Sequence, residues 1–146
     1  MHISNKCSLA IHCLIFIHEY GTANKVTSEL LSLSTGCNPV TIRNILSSLK
    51  KDGILDVKSG TGGATLVMKP ENITLYQICM AVEPDALDKV VGVHSAPSPF
   101  CPVGRNICSV LDDTYEKLKE DMAVSMKAIT MDKILADYYN TLKNNS

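Results

Sequence analysis

Side chains suited to hydrogen bonding with nucleic acid recur along residues 37–68 of the sequence. They are Asn38, Thr41, Arg43, Asn44, Ser47, Ser48 and Lys51, and no carboxylate lies among them. Arginine matches the acceptors of guanine and asparagine matches the edge of adenine, so Arg43 and Asn44 are candidates for reading base edges. Val40 lies off the apolar stripe and is a candidate for contact with a thymine methyl group.

Positive and hydroxyl side chains that follow this stretch are suited to phosphate groups, which supply affinity and salt dependence rather than sequence choice. Lys50 belongs to this group, and Ser4 and Lys6 at the start of the first predicted helix are further candidates for phosphate contacts. The complete set of predicted DNA-binding residues is Asn38, Val40, Thr41, Arg43, Asn44, Lys51, Lys58, Ser59 and Thr61.

Six cysteines offer thiol chemistry. Cys7, Cys13 and Cys79 fall on apolar helical segments and are predicted to be small buried residues without a role, so we expect no disulfide framework. Cys37 precedes the candidate reading helix, Cys101 lies between two prolines, and Cys108 is near a predicted helix start, where thiolates are favoured. We therefore treat Cys37, Cys101 and Cys108 as candidate redox residues, with Cys101 pairing with Cys37 or Cys108, and inert thiols as the alternative.

His94, Cys101 and Cys108 form a second possible set, as ligands of a metal or an iron–sulfur cluster. The seven-residue gaps between them lack the close pairing of strong zinc motifs, so we expect no cofactor and keep the cluster as the alternative. An enzyme is not expected either, because the sequence has no carboxylate pair, nucleophile elbow or cysteine–histidine arrangement in a recognisable context.

The elements that would position these residues can be predicted from local signals. Asn38 and Pro39 suit a helix start, and Ile42, Ile45, Leu46 and Leu49 share one face of that helix. Gly53 is a left-handed stop, and residues 54–58 and 64–68 are predicted strands around the tip at 60–63. The stretch therefore predicts a recognition helix followed by a β-hairpin wing.

Further helices are predicted before and after this unit. Residues 7–20 are apolar on nearly all sides, and residues 28–33 should point Leu30, Leu31 and Leu33 inward. Thr74 should cap a helix, and the four prolines within 83–104 predict a long loop. From Arg105 to Ile129 an apolar stripe exceeds what one small core needs, which favours a homodimer. The predicted dimer contacts are Ile107, Leu111, Tyr115, Leu118, Met122 and Met126.

Composition and charge agree with a DNA-binding protein that does not enter a membrane. The 146 residues are 45% hydrophobic and 20% charged, with no apolar run long enough for a bilayer, so a cytoplasmic protein is expected. Residues 1–69 carry seven Lys/Arg against four Asp/Glu, whereas residues 70–146 carry seven against eleven. The predicted division is a winged helix-turn-helix region at 1–82, a sensor or linker loop at 83–104, and dimerisation and C-terminal helices at 105–146.

The order of several segments resembles the Rrf family of bacterial winged-helix regulators. These segments are NPVTIRNILSSLKKDGIL, GTGGATL, ITLYQICMAVEP, CPVG and AITMDKIL. The resemblance implies a homodimeric transcription regulator, which we expect to be a repressor of a palindromic operator. Cluster-binding members carry three cysteines before the long helix; here Cys101, Cys108 and His94 occupy that region, so the chain looks more like the cluster-free, thiol-sensing subgroup. A protein-interaction module that keeps the fold without binding DNA is the remaining alternative.

Overall fold

The computed structural model describes residues 4–58, 60 and 63–146, and within them the fold is mainly α-helical with one small hairpin. The helices and strands in chain order are α1 (Lys6–Tyr20), α2 (Ser28–Thr35), α3 (Pro39–Lys51), β1 (Leu55–Lys58), β2 (Gly63–Leu66), α4 (Leu75–Val82), α5 (Pro102–Lys127) and α6 (Met131–Asn144). A 3₁₀ turn, Pro70–Asn72, precedes α4. The prediction of a mainly α winged helix-turn-helix fold is confirmed.

The core of the winged helix lies where α1, α3 and α4 meet. Leu14 of α1, Ile42 and Leu49 of α3 and Ile78 of α4 are fully buried there. The α3 helix contributes its predicted stripe, because residues three and four positions apart share one face and its four stripe residues are all buried. Burying this face leaves the polar face of α3 outside the core. No helix in the described parts of the chain is both long and apolar enough to cross a bilayer.

The wing is an antiparallel pair in which Leu55 faces Leu66 and Lys58 faces Gly63. Each strand is one residue shorter than predicted: β1 begins one residue later, and β2 begins one residue earlier and ends two residues earlier. The backbone N–H of Ala64 donates to the carbonyl of Val26 at 2.9 Å. This bond attaches the wing to the segment before α2, so the wing and the helix-turn-helix form one surface.

The junction between α5 and α6 is fixed to the winged helix by backbone hydrogen bonds. Thr74 and Thr130 form an isolated β-bridge. Beside it, the N–H of Leu75 donates to Ile129 and the N–H of Met131 donates to Ile73, both at 2.8 Å. The C-terminal end of α5 is therefore held against the start of α4.

Two details of the predicted helices are wrong. Leu31 of α2 is buried, but Leu33 is 83% exposed and Leu30 is also exposed, because a short helix can direct only one narrow face toward the core. The long helix begins at Pro102 rather than Arg105, since proline is favoured at the first helical position and Cys101 takes the N-cap position. Three residues assigned to the loop are thus helical.

The expectation that Cys7 and Cys79 are unpaired thiols is also wrong. The structure joins them by a disulfide, with their Cα atoms 5.0 Å apart. The first turn of α1 packs beside α4, which brings together two residues separated by 72 positions in the sequence. Cys13, Cys37, Cys101 and Cys108 are free thiols.

Candidate nucleic-acid interface

The start of the recognition helix is built by Asn38. Its side-chain Oδ1 accepts a hydrogen bond from the backbone N–H of Thr41 at 2.9 Å and another from the Thr41 hydroxyl at 3.2 Å. Asn38 Oδ1 and the Thr41 hydroxyl are therefore engaged with each other at the helix start. Their contribution in this structure is to cap α3, which orders the first turn that a recognition helix presents to DNA.

The remaining predicted base-reading residues lie on the open face of α3. Val40 is 57% exposed, and Arg43 and Asn44 are exposed beside it. Ser47 and Lys51 extend the same polar surface along the helix. The structure therefore keeps one apolar and two hydrogen-bonding side chains accessible on the first two turns, which is the combination that base edges require.

A cleft of about 420 Å³ separates this helix from the wing and from the start of α2. Four cationic side chains line it, namely Lys25, Arg43, Lys50 and Lys58, together with the carboxylate of Glu29. Lys25 was not predicted, because it lies in a loop whose position beside the wing depends on the Val26–Ala64 hydrogen bond. Glu29 was missed for a related reason, since its approach to α3 depends on how the two helices pack.

Two ion pairs hold cations of the cleft in place. Arg43 Nη1 lies 3.6 Å from Glu29 Oε1, and Lys50 Nζ lies 3.5 Å from Asp56 Oδ1. All four side chains are substantially exposed, so each pair contributes little to stability. Either cation can therefore exchange its carboxylate partner for a phosphate group. Lys58, at the end of β1, is exposed, whereas the predicted contacts Ser59 and Thr61 lie outside the described residues.

The predicted phosphate contacts Ser4 and Lys6 have an acidic neighbour, Glu83. This carboxylate is only 4% exposed and accepts a hydrogen bond from Lys89 Nζ at 2.8 Å. Hydrogen bonding from Lys89 lowers the pKa of Glu83, with smaller contributions from the Ser4 hydroxyl and the charge of Lys6. Lys6 is therefore close enough for its charge to act on Glu83, although Lys89 is the residue that forms the ion pair with this carboxylate.

The three candidate redox cysteines are not joined to one another. Cys37 is half-buried in the turn between α2 and α3, where its carbonyl accepts a hydrogen bond from the Ser32 hydroxyl. Cys101 and Cys108 are exposed. The backbone N–H groups of Gly104 and Val103 face the Cys101 sulfur and lower the pKa of its thiol. Of the three, Cys101 thus combines exposure with an environment that favours the thiolate.

The second candidate set does not form a metal site within one chain. No group of three His, Cys, Asp or Glu side chains in the described ranges is arranged to hold a metal ion. Cys101 and Cys108 begin and continue α5, and seven helical positions correspond to roughly 10 Å along the axis. Two sulfur ligands of one ion lie much closer together, so these residues as placed do not fit it.

The predicted dimer stripe of α5 divides into a covered end and an open remainder. Met126 is buried by its own chain, near the junction with α6. Leu118 is 49% exposed and Met122 is exposed, whereas Ile107, Leu111 and Tyr115 are half-buried. Val110, an apolar residue of the same helix that is not among the predicted dimer contacts, is 65% exposed.

Comparison with known proteins assigns this arrangement to a family. The family model described as "Rrf2: Iron-dependent Transcriptional regulator" matches residues 3–137. YwnA of Bacillus subtilis (strain 168), provisionally assigned as an HTH-type transcriptional regulator, is 34% identical over 96% of this chain and 98% of its own.

Two solved structures share the fold. A transcriptional regulator structure from Lactobacillus plantarum has a TM-score of 0.76 at 24% identity, covering 97% of this chain and 99% of that chain. CymR, the global cysteine regulator of B. subtilis, has a TM-score of 0.67 at 15% identity, covering 93% and 97%. The fold is thus shared with these proteins, and the chain belongs to the Rrf2 family of transcription regulators, which are DNA-binding proteins rather than enzymes.

Proposed function

We propose that the protein is a homodimeric repressor that binds a short palindromic operator in the bacterial cytoplasm. The observation that carries the proposal is the exposed polar face of α3, flanked by the four cations of the cleft. A positive cleft between a recognition helix and a wing is complementary to the DNA backbone on either side of a major groove.

Within this proposal the residues of α3 have separate tasks. Arg43 and Asn44 read base edges, and Val40 contacts a thymine methyl group. Lys50, Lys51 and Lys58 hold phosphates, and Lys25 adds to them from the loop before α2. Asn38 and Thr41 order the start of α3 through the cap on Asn38 Oδ1, and the amide group of Asn38 is left to donate to DNA.

The proposed dimer follows from the open part of α5. Ile107, Leu111, Leu118 and Met122 share one face of a 26-residue helix of about 39 Å. Packing this face against a second copy would remove its apolar surface from water and present two copies of α3 to two half-sites.

The proposed signal is oxidation of a thiol, with Cys101 as the reactive residue. Its exposure and lowered pKa both favour reaction of the thiolate with an oxidant. Cys101 lies at the N-terminus of α5, where a modified or cross-linked side chain would disturb the dimer helix. Such a disturbance would change the spacing of the two recognition helices.

Arg43→Ala tests DNA reading, with Arg105→Ala as the matched control. The chain has these two arginines, each followed by asparagine, and Arg105 lies on α5. We measure affinity for the DNA upstream of the protein's own gene and for a scrambled duplex, at several salt concentrations. Arg43→Ala should weaken binding to the specific duplex by roughly tenfold to a hundredfold and leave the scrambled duplex less affected.

Arg105→Ala should bind the upstream DNA as the unmodified protein does. If neither the parent protein nor either variant binds this DNA more tightly than the scrambled duplex, DNA reading at this promoter is contradicted. Binding to a protein partner, the interaction-module alternative, would then be tested in its place.

Cys101→Ser tests the proposed signal, with Cys108→Ser as the control on the same helix. Hydrogen peroxide should weaken operator binding by the parent protein and by Cys108→Ser. Cys101→Ser should bind equally with and without peroxide. An unchanged oxidant response in this variant would remove Cys101 as the sensor.

The family description favours one second candidate, a regulator that senses iron through His94, Cys101 and Cys108. As placed, these residues of one chain do not fit a metal ion. Titration of the full-length protein with ferrous iron, followed by equilibrium dialysis, tests this candidate. Stoichiometric iron that is lost in both Cys101→Ser and Cys108→Ser would support it, and iron that stays in the outer compartment would contradict it.

A further inference from the structure

The disulfide between Cys7 and Cys79 is separate from the candidate redox cysteines Cys37, Cys101 and Cys108. It joins the first turn of α1 to the middle of α4. The segment that it encloses contains α1, α2, α3, the hairpin and most of α4, so the bond closes the winged helix into a loop of chain. Its position therefore affects the whole DNA-binding unit rather than one local turn.

The immediate neighbours of the bond connect the N-terminus with the linker. Cys7 follows Lys6, and Glu83 follows α4 one turn after Cys79, with its N–H donating to the Cys79 carbonyl at 2.8 Å. Ser4 and Lys6 contribute to the lowered pKa of Glu83, and Glu83 forms an ion pair with Lys89 of the linker. The disulfide thus fixes the start of α1 against the point where the chain leaves the winged helix.

The surroundings of the two sulfurs allow exchange with an external thiol and disfavour exchange with an internal one. Cys7 is half-buried, whereas Cys79 is 5% exposed, so Cys7 is the more accessible of the two residues. Cys13, on the same helix as Cys7, is fully buried, and burial raises the pKa of its thiol to about 12. A protonated thiol is not a nucleophile, so Cys13 does not compete for the disulfide.

We propose that Cys7 and Cys79 form a reversible redox site, and that their disulfide maintains the conformation of α1 and α4 that binds DNA. A thiolate of an external dithiol attacks the Cys7 sulfur, the Cys7–Cys79 bond breaks, and Cys79 leaves as a thiolate that takes up a proton. The second thiol of the reductant then attacks the mixed disulfide and releases Cys7. Two protein thiols and one oxidised dithiol result, and a small-molecule disulfide reverses the reaction.

This inference rests on the proposed DNA-binding function, and it predicts a response opposite in sign to that of Cys101. Reduction removes the cross-link between α1 and α4 and frees the first turn of α1 with Ser4 and Lys6. Ordering that turn on DNA then has an entropic cost that the disulfide form does not have. Reduction of the Cys7–Cys79 disulfide should therefore weaken DNA binding. Oxidation at Cys101 should also weaken it, through the disturbance of α5.

The experiment uses the full-length Cys101→Ser/Cys108→Ser protein, in which the two exposed thiols are absent. It is prepared with and without dithiothreitol, and the redox state is read by alkylation and intact mass. Affinity for the upstream DNA and the thermal midpoint are then measured on both forms. We expect the reduced form to bind about tenfold more weakly and to melt about 10 °C lower.

Two further variants provide the controls. Adding Cys7→Ser should give the affinity and midpoint of the reduced form, with no response to dithiothreitol. Adding Cys13→Ala should keep the response, because Cys13 takes no part in the exchange.

Three results would overturn the inference. They are free thiols at Cys7 and Cys79 in the air-oxidised protein, tighter DNA binding after reduction, and equal binding by both forms when the mass confirms their redox states. Equal binding leaves the proposed DNA-binding function intact. Absence of specific binding in both forms contradicts that function as well, so the two failures are distinguishable.

Discussion

At the scale of single residues, Asn38 and Asn44 illustrate how one helix separates structure from recognition. Both are exposed asparagines of the segment that includes α3. Asn38 bonds the backbone of Thr41, whereas Asn44 lies in the second turn, facing outward beside Arg43. Identical side chains therefore have a structural task at the cap and, in the proposed function, a recognition task on the open face.

Alanine substitution should separate these two tasks. Asn38→Ala removes the cap and should lower the free energy of unfolding by about 1 kcal/mol. Asn44→Ala should leave stability within about 0.5 kcal/mol and weaken specific DNA binding. Urea denaturation and DNA titration on the same preparations check the pair. Equal losses of stability in the two variants would contradict the assignment.

Local signals explain which residues of the site could be predicted. Asn38, Pro39 and Gly53 define α3 through caps and backbone preferences that act within a few positions, and these predictions are confirmed. The Arg43–Glu29 pair and the Cys7–Cys79 bond depend on how separate helices pack. No short stretch of sequence carries that information, so both escaped prediction.

At the scale of elements, the wing depends on a close approach between two backbones. Gly63 has a φ of 69°, and a Cβ atom there would lie 2.8 Å from the nitrogen and 2.9 Å from the oxygen of Val26. Gly53 has a similar φ of 77°, with open space around it. The two glycines share the same conformational requirement, but only Gly63 also has a steric one.

Alanine at each position should measure these requirements separately. Gly53→Ala should cost about 1–2 kcal/mol, the penalty of a left-handed conformation for an L-residue. Gly63→Ala should cost at least about 1 kcal/mol more, because backbone atoms must also move apart. Unfolding free energies from urea denaturation test the difference, and equal costs would show that the approach to Val26 is not needed.

An ion pair between Glu83 and Lys89 joins the end of α4 to the linker loop. Glu83 has a lowered pKa, mainly because of its hydrogen bond with Lys89, so its ionised form stabilises the folded state. That contribution is present above the usual carboxyl pKa of 4.5 and is lost as pH falls through the lower folded value.

Glu83→Gln should therefore reduce stability at neutral pH and flatten the decline of stability with acid. Unfolding free energies between about pH 7 and pH 3 check this expectation. Glu71→Gln removes an exposed carboxylate from the 3₁₀ turn and is the control for loss of charge. A parallel acid decline in parent and Glu83→Gln would contradict the assignment.

At the scale of the whole molecule, the open stripe of α5 is the surface through which two chains would associate. Leu118→Asp places a charge in this stripe and should convert a dimer into monomers, because a buried unpaired carboxylate is costly. Ser109→Asp adds the same charge on the opposite side of α5 and should remain dimeric. Sedimentation velocity reads the state of both, and a dimeric Leu118→Asp protein would exclude this interface.

Backbone hydrogen bonds to Ile73 and Leu75 fix the α5–α6 junction against the winged helix. The helix extends about 39 Å from it, so a tilt of about 5° about this junction would displace its N-terminal end by about 3 Å. Cys101 lies at that end, where leverage is greatest. A tilt of α5 would therefore displace the residues around Cys101 by several ångströms, whereas it would displace Met126, beside the junction, very little.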